Sequence, residues 1–156
     1  DHCFRAFDGI MERHGIEKIK TIGDAYMAAG GLPDPTKGSP LSVVMAALEM
    51  QQFMSAYKAE RIAQGRLYFE MRLGVHTGPV IAGIVGVKKY AYDIWGDTVN
   101  TASRMESSGA VGQVNISAST HALVRDAALL RFTPRGLVEA KGKGPMEMFF
   151  VAQATS

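Results

Sequence analysis

The sequence has a single cysteine, Cys3, and no Cys/His spacing that resembles a zinc site. An internal disulfide is therefore excluded, and a reducing, cytoplasmic setting is expected. Cys3 stands beside Phe4 in an apolar stretch and reads as buried filler rather than a nucleophile. Charge of one sign is also lacking. The net charge is +2, and the seventeen Lys and Arg residues are scattered rather than run together, so charge gives no argument for a nucleic-acid partner. No apolar run reaches the length that spans a bilayer; the best candidate, 42–50, is short and contains Glu49. No secretory leader, internal repeat or low-complexity tract is visible.

What is present is ordinary for one globular domain with a hydrophobic core: 156 residues, 47% hydrophobic and 21% charged. Phe4, Phe7, Ile10 and Met11 recur at helical spacing, so 2–14 is expected to be the tail of a helix. Two β-like runs, 16–22 and 25–29, are joined at Gly23-Asp24, a hairpin signal. The proline- and glycine-rich stretch 32–40 is a loop, and 41–63 carries an apolar helical face of Val43, Ala46, Ala47, Met50, Phe53, Met54 and Tyr57.

Residues 67–75 alternate without a break and predict a half-buried strand. Further strands are expected at 80–85 and, after Lys88-Lys89, at 90–95. Asp97 or Thr98 is positioned to cap a helix running to about Ser107. A short strand at 113–117, a short helix at 118–124, a glycine-lysine turn at 140–144 and a closing strand at 148–152 complete the pattern. Interleaved strands and helices with hairpins give an α+β class.

Four segments stand out: EKIKTIGDAYM at 17–27, GVHTG at 74–78, YDIWGDTVNTASRM at 92–105 and KGKG at 141–144. In that order and spacing they resemble the class III adenylyl/guanylyl cyclase catalytic domain, across essentially the whole chain. The resemblance implies a ferredoxin-like βαββαβ core with additional strands, and an active site shared between two subunits of a homodimer. It implies two divalent cations, Mg²⁺ or Mn²⁺, of which Asp24 would hold one; read alone, Gly23-Asp24 is simply a turn.

Lys20 and Asp93 match the family's base-selecting pair. A lysine only donates and an ionised aspartate only accepts, which suits the N1 acceptor and N6 donor of adenine; guanine has the reverse polarity. Asn100 and Arg104, at i and i+4 on one helix face, match the residues that orient the ribose and stabilise charge on the α-phosphate. Lys141 matches the lysine that holds the triphosphate, with Lys143 as its near neighbour. Asp97 is assigned to capping, His76 to structure, and Trp95 to packing in the core or at a dimer interface.

The family's first strand, a Phe-x-Asp-Ile segment bearing the other metal aspartate, has no counterpart here. Asp8 lies in the helix that should follow it and reads as a solvated helix residue. The chain is therefore expected to be one catalytic domain, 1–156, truncated at its N-terminus, impaired by itself and left with bare sheet edge, with a sensor or membrane region ahead of it in the full-length protein. The activity implied is adenylate cyclase, turning ATP into 3′,5′-cyclic AMP and pyrophosphate. The alternatives are a guanylate cyclase, or a non-catalytic cyclase-like module that regulates or only dimerises.

Overall fold

The computed structural model describes residues 2–86 and 91–154. Helix α1 (His2–His14) opens it and hands over to the hairpin β1 (Glu17–Ile22) and β2 (Ala25–Ala29). Helix α2 (Pro40–Ala63), strands β3 (Leu73–Val75), β4 (Ile81–Val85) and β5 (Ala91–Trp95), and helix α3 (Asp97–Ser107) follow. Then come β6 (Val114–Ser117), α4 (Ala118–Val124) and the long hairpin β7 (Leu130–Ala140) and β8 (Gly144–Gln153). The α+β class holds.

Among the described residues the strands form three sheets: a four-stranded sheet in the order β3-β6-β8-β7, and the pairs β1-β2 and β4-β5. Only β3 and β6 pair in parallel; the other ladders are antiparallel. Strand β5 packs beside β1 and α3, so the two small sheets and α3 are neighbours.

Helix α2 serves two cores. Val44, Ala47 and Leu48 pack with Val75, Val114, Ile116, Phe149 and Val151 of the large sheet. Ala46, Met50 and Met54 pack with Cys3, Phe7, Ile10 and Met11 of α1. Its burial is wider than the single apolar face expected from the sequence, because the sheet lies on one side and α1 on the other. Ser39 caps it by accepting from the Ser42 amide, with Pro40 as the first helical residue; the helix thus takes in Pro40, which the loop reading excluded. Cys3 is buried, as expected.

Three expectations are corrected. The predicted strand 67–75 survives only as Leu73–Val75. No described strand lies beside 67–72; instead the Met71 carbonyl accepts from the Gln51 side chain and the Gly112 amide, and Leu67 is left 93% exposed. Alternation marks a strand only where a partner ladder exists. The second correction is β7, eleven residues long, which sequence patterning missed. Pro134 and the break in register before Gly136 interrupt its alternation. Strand β8 in turn runs beyond the expected 148–152. Lys88, Lys89 and Tyr90 lie outside the described residues.

Candidate active site

The β1–β2 hairpin brings forward two of the candidate residues. Gly23 takes φ +58° at its turn, a conformation glycine adopts without strain. Asp24 beside it is exposed at the tip. Strand β1 carries a bulge between Lys18 and Lys20, an irregularity that re-aims side chains. Lys20 reaches β5, where its Nζ lies 3.0 Å from Asp93 Oδ2. The other carboxylate oxygen of Asp93 accepts from the Ile94 amide at 2.8 Å. The Lys20 ammonium, then the Ile94 N–H, hold the Asp93 carboxyl below the usual carboxylate range. Two residues far apart in sequence thus meet as a donor beside an acceptor, on a partly open surface.

The hairpin is braced from α1. Tyr26 on β2 donates its hydroxyl to Asp8 Oδ1 at 2.6 Å, and Lys18 pairs with the same carboxylate at 3.2 Å. The Tyr26 ring meets Phe4 and Phe7 edge-on. Asp8 is therefore not a merely solvated helix residue; the Tyr26 hydrogen bond, with Lys18, holds its carboxyl low. Burial, with the Asp8 contact, pushes the Tyr26 phenol upward.

Helix α3 begins two residues beyond the end of β5 and carries Asn100 and Arg104 at i and i+4. Its N-cap is Gly96 and no side chain caps it. Asp97 thus does not cap: it sits in the first turn, and its carboxylate pairs with Lys143 from the β7–β8 turn. Of the two turn lysines, Lys143 is the one tied to α3, while Lys141 is exposed. Beside this turn, His76 Nδ1 lies 2.7 Å from Ser117 Oγ. Burial, then the Lys143 charge, pushes the His76 imidazole below its ordinary value. Trp95 is 43% exposed and not a core residue.

A metal is tested by its donors. Among the described residues no group of three or more His, Cys, Asp and Glu could hold an ion. Asp24 offers one exposed carboxylate. That fits a hard cation that takes one or two protein carboxylates and completes its shell with phosphate oxygens and water; it does not fit a closed all-protein cage.

The family model "Adenylate and Guanylate cyclase catalytic domain" matches residues 1–153. The chain belongs to that family. The cyclase domain is 38% identical over 151 residues to "Adenylate cyclase" of Mycobacterium tuberculosis, covering 97% of this chain and 33% of that protein. It is 41% identical over 150 residues to "Guanylate cyclase soluble subunit beta-2" of Rattus norvegicus, covering 96% of this chain and 21% of that protein. The chain thus spans a third or less of these curated relatives. Among solved structures, it is similar to the guanylate cyclase domain of RhGC from Catenaria anguillulae, in complex with GTP. The TM-score is 0.86 at 34% identity, over 99% of this chain and 81% of that one. The fold is that of a nucleotide cyclase catalytic domain. Relatives of both kinds match, and no helix among the described residues is long and apolar enough to cross a membrane.

Proposed function

We propose that this cyclase domain acts on ATP, forming 3′,5′-cyclic AMP and pyrophosphate, as one catalytic domain within a longer protein. The observation that carries this reading is the Lys20–Asp93 pair at 3.0 Å. It sets a donor that cannot accept beside an acceptor that cannot donate, the polarity adenine requires at N1 and N6. A guanine edge there would face donor with donor and acceptor with acceptor, and such mismatches are costly.

Asn100 orients the ribose, and Arg104 places its guanidinium against the α-phosphate as negative charge gathers there. The ribose 3′-oxygen attacks the α-phosphorus in line. The new 3′ O–P bond forms, the bond to the pyrophosphate oxygen breaks, and the hydroxyl proton leaves to solvent. No side-chain base is needed; the protein contributes positioning and electrostatics. Lys141 from the β7–β8 turn holds the β- and γ-phosphates that leave as pyrophosphate, with Lys143 beside it. Asp24 would hold one of two divalent cations, Mg²⁺ or Mn²⁺. When bound, two such cations supply acidification of the 3′-hydroxyl and neutralisation of the triphosphate.

The site is shared in a homodimer, Asp24 of one chain serving Lys20, Asp93, Asn100, Arg104 and Lys141 of the other. Ile81, Ile84, Val85 and Trp95, all exposed on the β4–β5 pair, support an association surface. A sensor or membrane region in the full-length protein would place this domain on the cytoplasmic side.

The test is cyclic nucleotide production by the full-length protein from ATP and from GTP with Mn²⁺, beside Lys20→Glu/Asp93→Cys. Cyclic AMP from the wild type, with ATP preference lost in the double variant, supports the reading. Cyclic GMP from GTP in the wild type assigns a guanylate cyclase instead. Silence with both nucleotides in a folded protein assigns a regulatory module.

A further inference from the structure

Helix α3 is held in an unusual way for a helix that bears two candidate catalytic groups. Its N-terminus has no side-chain cap, yet both of its ends are gripped by residues of β6, β7, β8 and the turn between the last two. At the first turn Lys143 pairs with Asp97. In the last turn Met105, fully buried, packs on Ala140 and Met148 of the hairpin.

The C-terminal grip is the most specific. Arg135 on β7 donates through Nη1 to the Ser108 carbonyl at 2.9 Å and to Asn115 Oδ1 at 3.0 Å. Its guanidinium lies 4.2 Å from the centroid of the Phe150 ring. Asn115, completely buried in β6, uses its other end to donate to the Met105 carbonyl at 2.9 Å. Met105 and Ser108 are at the end of the helix, where carbonyls lack intrahelical partners and the helix dipole is negative. A cation and a buried amide therefore take up that end together. Beneath it, Gly74 of β3 leaves the helix backbone in direct contact: a Cβ there would come within 2.1 Å of the Glu106 nitrogen. The floor sets the height of the helix, and Arg135 with Asn115 sets its position along and around its axis.

We propose that Arg135 and Asn115 are positioning residues for Asn100 and Arg104, holding α3 so that the face bearing both meets the nucleotide. This rests on the function proposed above. Arg104 immediately precedes Met105, whose carbonyl Asn115 holds, so a slip of the helix end moves the Arg104 guanidinium directly. Neither Arg135 nor Asn115 touches substrate in this assignment. Their loss therefore lowers turnover more than nucleotide binding.

The experiment uses the full-length protein with Arg135→Gln, Arg135→Lys and, as a reference on the exposed side of the same strand, Arg131→Gln. Steady-state kinetics are read well below each variant's melting temperature, with hydrogen exchange of residues 97–107 followed in parallel. Arg135→Gln is expected to lower kcat about 10- to 100-fold, the scale of a small misplacement of a reacting group, with KM for ATP changed less than about threefold. Arg135→Lys, which keeps a cation at the helix end, is expected to fall between Gln and wild type, and Arg131→Gln to match wild type. Exchange is expected to quicken in 97–107 and not in β8. Unchanged kcat in a folded Arg135→Gln, or a loss shared equally by KM with no change in exchange at α3, overturns the proposal. If the wild type makes no cyclic nucleotide, the functional reading fails. The exchange comparison then still decides whether Arg135 holds α3.

Discussion

Gly74 is a single hydrogen atom wide where any other residue would need room for a carbon. A Cβ would meet the Glu106 nitrogen at 2.1 Å and the Met105 carbonyl carbon at 2.4 Å, both of them backbone that cannot rotate away. Gly74→Ala is therefore expected to destabilise the fold by about 3 kcal/mol, the upper part of the overpacking range, seen as a lower urea midpoint at unchanged slope. Tyr26 offers a contrasting case, a bond rather than a gap. Removing its hydroxyl in Tyr26→Phe leaves the ring contacts and deletes the bond to Asp8. The expected cost is about 1 kcal/mol, at the modest end for a bond to a charged group because Asp8 is partly in water. The sign in pH follows from the lowered Asp8 carboxyl. Its contribution is present above the ordinary value of 3.8 and lost as pH falls through the lower folded value. Stability curves of wild type and Tyr26→Phe should thus converge in acid; parallel curves down to the lowest pH at which both fold would count against the Asp8 bond.

At the scale of elements, legibility followed local periodicity. The hairpin was visible from its Gly23-Asp24 turn and α2 from its apolar periodicity; the helix after Gly96 was placed correctly although the Asp97 cap expected for it does not form. Strand β7 was not, because Pro134, Arg135 and Gly136 break the pattern where the ladder shifts register. The overlong strand at 67–75 shows the opposite error, a pattern that alternates without a ladder beside it. Candidate residues were legible as types, and Lys20 and Asp93, 73 positions apart, do meet. The residues that hold the site were not. Asn115 stands in a strand whose four residues are all buried, and a polar side chain in such a run signals a fixed partner. The identity of that partner, Arg135, depends on tertiary contact, as does the tie between Asp97 and Lys143.

For the whole molecule, pH dependence sums over groups with different signs. His76 is held below the ordinary imidazole value of 6.5 by burial and by Lys143. The unfolded chain then binds a proton before the fold does, so stability declines as pH drops through 6.5 toward the lower folded value. Asp93 and Asp8 add a further loss only in stronger acid, below the ordinary 3.8. A urea midpoint that falls between pH 7.5 and about 5.5 in wild type, and less in His76→Gln, is expected. An equal fall in both proteins would remove His76 from the account.

The three-sheet arrangement among the described residues separates the elements that carry the candidate residues. Lys20, Asp24 and Asp93 ride on the β1-β2 and β4-β5 pairs, whereas the end of α3 is bolted to the four-stranded sheet. Among the described residues no ladder crosses from either pair to that sheet. The coupling between the Lys20–Asp93 pair and α3 therefore runs through the packing of β5 on the helix rather than through a shared ladder.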